Sequence, residues 1–128
     1  MNKLIIYFFI FSSLAMPALA HQPSNIIVQN NKDTNKLIVI VYHRINADRH
    51  EKNRTHFIKE ISIEINEKQV DSKVYNYQNR PSVIRTSFSM PKHESNDELT
   101  IKAICSTGSE LIKKISMSNL PKYQSTKK

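Results

Sequence analysis

Five histidines and one cysteine are the side chains in this 128-residue chain best suited to hold a metal. Three of the histidines, His43, His50 and His56, fall within the single stretch from Tyr42 to Ile58, Tyr-His-Arg-Ile-Asn-Ala-Asp-Arg-His-Glu-Lys-Asn-Arg-Thr-His-Phe-Ile. Imidazole is the commonest protein ligand for first-row transition metals. The competing reading is a polar surface loop, because short histidine spacings also occur without a metal. What separates the two is whether other donors reach the same place. Cys105 is the only cysteine, so it has no intramolecular disulfide partner. In an oxidising compartment a lone thiol is kept buried, paired between chains or bound to metal. His21 and His93 complete the set of candidates.

The compartment is indicated by the first 20 residues. Lys3 is the only charge there, residues 4–15 form a predominantly apolar core, and Ala18-Leu19-Ala20 places small residues at a cleavage position. This is the pattern of a secretory signal peptide, too short in its apolar part for the roughly 20 residues of a bilayer span. Cleavage after Ala20 would make His21 the new N-terminus and send the protein to the periplasm or the exterior. Residues 21–118 are one domain by size, and residues 119–128 read as a basic flexible tail. Without Lys3 the chain keeps 18 basic side chains against 11 acidic, a net charge of about +7. The charges are scattered, so neither nucleic acid nor, after signal cleavage, a membrane is expected as a partner.

The elements that would position the histidines are strands. Only one glycine is present, Gly108, and apolar residues recur with period two between turn-rich segments. Seven strands are expected at residues 25–29, 36–43, 57–66, 69–75, 83–90, 98–104 and 110–117. The second is almost wholly apolar and belongs at the centre of a sheet. Seven short strands in this length point to an all-β, immunoglobulin-like antiparallel β-sandwich. If successive strands run up and down, alternate connections share an end. His21, His43, His50, His56 and Cys105 then converge at one rim, and His93 falls at the other. His43 continues the parity of Leu37, Val39 and Val41, and Cys105 that of Leu99, Ile101 and Ala103, so both should point inward. Several imidazoles and a thiolate favour iron, copper or zinc over magnesium or calcium.

With these residues in place the chain resembles the desulfoferrodoxin and superoxide reductase iron-binding domain family. That family opens with His-x-Pro, as in His21-Gln22-Pro23. It continues with two histidines separated by five residues, the second followed by an aromatic residue and Ile, as in His50 to His56-Phe57-Ile58. Late in the domain an apolar strand ends in Ala-x-Cys, as in Ala103-Ile104-Cys105. The resemblance implies a sandwich holding mononuclear non-haem iron with four histidines and one axial cysteine. The chain also differs from the family. The usual Cys-Asn-x-His-Gly is here Cys105-Ser106-Thr107-Gly108, which lacks the histidine. The Glu-Lys pair before the first histidine is absent, as is any four-cysteine rubredoxin-like domain. His43 is the candidate for the fourth imidazole, and Lys52 or Arg54 for the missing cation.

Two functions are expected, beside a basic adhesion-like sandwich with no metal. In the first, His21, His43 and His56, with His50 as an optional further ligand, hold iron with Cys105 opposite an open face. The protein then reduces superoxide with electrons from an unidentified donor, Lys52 and the basic surface drawing the anion in. In the second, the α-amine and imidazole of His21 chelate copper or another metal with His43 or His56, Cys105 favours Cu(I), and the protein binds or delivers the metal without turnover.

Overall fold

A computed structural model describes residues 23–44, 56–80 and 82–124. The expected signal peptide, residues 1–20, lies outside the described residues. Seven strands appear in chain order: β1 Asn25–Asn31, β2 Lys36–Tyr42, β3 Ile58–Ile65, β4 Lys68–Val74, β5 Val83–Ser89, β6 Glu98–Cys105 and β7 Glu110–Ser116. One short 3₁₀ turn, Met117–Asn119, comes after β7. Each strand lies within two residues of its expected span. Among the described residues no helix is long and apolar enough to cross a membrane.

The strands form two antiparallel sheets, one ordered β1-β2-β5 and the other β4-β3-β6-β7. β4 pairs with β3 and not with β5, so the fourth strand extends the sheet of β3, β6 and β7. In immunoglobulin terms this is the place of a C′ strand. Alternation explains which face each strand buries. Leu37, Val39 and Val41 from β2 meet Ile61, Ile63 and Ile65 from β3 and Leu99, Ile101 and Ala103 from β6 in one buried core with Phe88. β2 sits between β1 and β5, in register Ile26↔Val41 on one side and Val41↔Ile84 on the other. Its continuous apolar run therefore reflects a central strand.

β3 departs from regular geometry at both ends. Its register with β6 runs Ile58↔Cys105 and then Glu60↔Ile104, leaving Lys59 as an extra residue. That bulge reverses the alternation: Ile61, Ile63 and Ile65 point inward, and so does Ile58. At the other end Asn66 and Glu67 link β3 to β4 with φ of 50° and 68°. Two left-handed residues in a two-residue hairpin match the right-handed twist of the strands.

The distal end of the sandwich is held by a polar cluster. Asp97 accepts from the Glu94 N–H at 2.8 Å and from the Asn66 amide at 2.9 Å. Both bonds favour the charged form and hold the Asp97 carboxyl below its ordinary range. His93 lies in this connection, its Nδ1 2.7 Å from the Pro91 carbonyl. The segment from residue 119, expected as a basic flexible tail, runs beside β1 in its described part. Asn30 donates to the Pro121 carbonyl at 2.8 Å and accepts from the Tyr123 N–H at 2.9 Å, so the chain stays against β1 as far as Tyr123. The Arg85 guanidinium, 5.4 Å from the centroid of the Tyr123 ring, reinforces that attachment. Residues 125–128 lie outside the described residues.

Candidate metal centre

His43 is the first residue after β2, His56 stands two residues before β3, and Cys105 ends β6. Their positions place them at one rim of the sandwich. One ligand atom from each of the three lies within 4.8 Å of the others. His43 and Cys105 are fully buried and His56 is half-buried.

His43 arrives because it continues the inward row of Leu37, Val39 and Val41, with its N–H donating to the Ser82 carbonyl at 3.0 Å. Cys105 arrives in the same way, at the end of the row Leu99, Ile101, Ala103. His56 depends on the bulge. It has the parity of Ile58, which the extra Lys59 turns inward; an unbroken alternation from Ile61 would have turned Phe57 inward instead. Bulges beside functional sites commonly re-aim a side chain in this way. Ser106 then fixes the start of β3, its Oγ accepting from the Phe57 N–H at 3.1 Å and its N–H donating to the Phe57 carbonyl at 2.8 Å.

Gln78, in the β4–β5 connection and only 6 % exposed, sets the orientation of His43. Its Nε2 donates to the carbonyls of His43 and Arg80, at 2.9 and 2.8 Å. The amide is thereby oriented, and Oε1 must face the other way. Oε1 accepts from the Ile58 N–H at 3.4 Å and lies 2.8 Å from His43 Nδ1. The proton of His43 therefore sits on Nδ1, and the lone pair of the neutral ring sits on Nε2. Metal-binding histidines characteristically donate their second ring N–H to such an acceptor.

His43 Nε2 faces His56 Nε2 at 3.1 Å, with the rings edge to face at 71°. This is an N–H···N hydrogen-bond distance. It is also the separation of two nitrogens sharing one metal: bonds of about 2.0–2.1 Å at 90–109° place them about 2.8–3.4 Å apart. Cys105 Sγ accepts a hydrogen bond from the Thr107 hydroxyl at 3.2 Å. The turn that carries it is closed by Gly108 N–H to the Cys105 carbonyl at 2.9 Å. The chain's one glycine is needed there, since Gly108 has φ of 95°.

Of the residues singled out in the sequence, His43, His56 and Cys105 come together, and His93 lies at the opposite end. His21, His50, Lys52 and Arg54 lie outside the described residues. Gln78 was missed, because a glutamine between turn residues carries no periodic or motif signal. The bulge did leave a trace, in the three-residue step from Ile58 to Ile61 within a two-residue alternation. Two imidazoles and one thiol, with one imidazole already oriented lone pair inward, form a group that could hold a metal ion. Compared with known proteins, the chain matches no family model and no curated sequence.

Proposed function

We propose that this protein binds a mononuclear transition metal through His43, His56 and Cys105, and that it is an exported non-haem iron protein of the superoxide reductase type. The observation that carries the metal reading is the buried meeting of the three donors from three separate elements. The chemistry of the donor set fits: imidazole and thiolate suit iron, copper and zinc. The finer assignment to iron rests on the resemblance in the spacing of His50, His56 and Cys105 and in the His21 motif. When bound, iron supplies the one-electron chemistry that superoxide reduction needs. The chain's own part is to hold His43 with its Nε2 inward through Gln78, to hydrogen-bond the Cys105 sulfur through Thr107, and to present a basic surface to a small anion. His21 and His50 are the remaining ligand candidates, and Lys52 the candidate cation near the entrance.

A second reading, copper binding or delivery without turnover, is favoured by one observation. Two histidines and one cysteine, the set that the structure brings together, are also the core donor set of copper sites.

Elemental analysis and a visible absorption spectrum of the purified full chain decide between them. Iron in about one equivalent with a thiolate charge-transfer band, lost in Cys105→Ser, supports the first reading. One tightly held equivalent of Cu(I), lost in the same variant, supports the second. A protein that retains no metal on purification and takes up none when iron or copper is added would overturn both.

A further inference from the structure

The two sheets carry charge differently. β1, β2 and β5 contain no Asp or Glu, whereas β3, β4, β6 and β7 all do. Ion pairing respects that division: Lys102 meets Glu64 at 3.1 Å and Lys114 meets Glu98 at 3.6 Å. Lys36 of β2, Arg85 of β5 and Arg80 of the β4–β5 connection form no ion pair among the described residues. All three border one cleft of about 570 Å³, whose described lining includes no carboxylate.

Three cations that pair with no described carboxylate, gathered around one concavity, repel each other and focus a positive potential into it. Arg85 is also held in place, its guanidinium lying over the Tyr123 ring. A cation–π contact of this kind uses none of the guanidinium N–H donors on an acceptor oxygen, so they remain suited to an oxyanion. Tyr77 and the amide of Asn79 complete one wall, adding ring surface and a neutral hydrogen-bonding group. The volume is that of a small-molecule site, about 300–1,000 Å³. A single inorganic ion would leave most of it to water.

We propose that this cleft binds a small organic polyanion, recognised through carboxylate or phosphate oxygens by Lys36, Arg80 and Arg85. It is distinct from the metal cluster, and its occupancy does not require a metal. Gln78 belongs to both, since it lines the cleft and orients His43.

Titration calorimetry on the full chain, dialysed free of metal, tests this with citrate in one arm and fructose 1,6-bisphosphate in the other. The expected result is saturable one-to-one binding of at least one probe, weakening with added salt. The arm that binds identifies carboxylate or phosphate as the preferred group. Lys36→Gln with Arg85→Gln should weaken binding by about tenfold or more, as loss of charge-assisted hydrogen bonds does. Lys68→Gln with Lys92→Gln, which removes the same charge outside the cleft lining, should change it less than about twofold. If the first pair fails to fold, Arg80→Gln alone should weaken binding beyond the control pair. Absence of saturable binding by both probes overturns the proposal, and so does an equal loss in the cleft variants and the control pair.

Discussion

Gln78 makes four polar contacts at once, to His43 Nδ1, the Ile58 N–H and the carbonyls of His43 and Arg80. It ties the end of β2, the start of β3 and the β4–β5 connection to one buried amide. Gln78→Leu keeps a similar volume and removes all four. The His43 Nδ1–H and the Ile58 N–H would lose this acceptor, and each buried group left unsatisfied costs about 1–3 kcal/mol. Urea denaturation should therefore show a loss of about 2 kcal/mol or more. A purely structural role would stop there. The orienting role adds two signatures: metal affinity falls about 10–100-fold, and the ¹⁵N signals of His43 in the metal-free protein report a mixture of tautomers. An unchanged tautomer with unchanged metal affinity would reduce Gln78 to a packing residue. At this scale the sequence was legible only by residue type. Histidine and cysteine announce themselves as ligands anywhere. Glutamine is ordinary in a polar loop, and its importance exists only once three distant segments meet around it.

Between residue and fold stand the turns and the bulge that set each strand's phase. The bulge at Lys59 shows why parity read from sequence was sufficient for His43 and Cys105 and insufficient for His56. β2 and β6 alternate without interruption up to those two residues, so their direction could be extrapolated. β3 does not, and the direction of His56 comes from an inserted residue in the ladder. The hairpin at the far end of β3 carries a different kind of information. Asn66 tolerates the left-handed region well, and its side chain also bonds Asp97 and the Glu98 N–H, each at 2.9 Å. Glu67 has no such compensation. It is held at φ 68°, where an L-residue with a long side chain costs about 1–2 kcal/mol. Its contact with Lys114, at 4.0 Å and largely exposed, returns almost nothing. Glu67→Gly relieves the strain and gives back part of the gain as unfolded-chain entropy. The expected outcome is a net stabilisation of about 0.5–1 kcal/mol by urea denaturation, with metal binding unchanged because the turn lies at the opposite end from the cluster. A loss of stability would mean that the turn is not the two-residue left-handed type.

For the molecule as a whole, the architecture was readable because its signals are redundant. Seven alternating runs, separated by turn residues, leave few alternatives to a two-layer antiparallel fold. The partition of strands between the sheets was not readable, since alternation says which face a residue takes and not which neighbour its strand chooses. That partition has an energetic consequence at the cluster. His43 extends from the sheet of β1, β2 and β5, while His56 and Cys105 belong to the ends of β3 and β6 in the other sheet. A metal held by all three would be a clasp between the layers, formed only when both are folded and packed. Binding to the folded state alone stabilises it by an amount set by concentration and affinity, about 2.7 kcal/mol at one hundred times the dissociation constant. Denaturant unfolding of the full chain should therefore shift to higher midpoint as iron or copper is added, and return on chelation. In Cys105→Ala the metal-free protein should lose modest packing stability, while most of the metal-dependent increment disappears. The increment is the decisive quantity, because it is insensitive to how well the alanine packs. If it survives the loss of Cys105 intact, the metal is not bridging the sheets through this cluster, and the convergence of His43, His56 and Cys105 is a feature of the core alone.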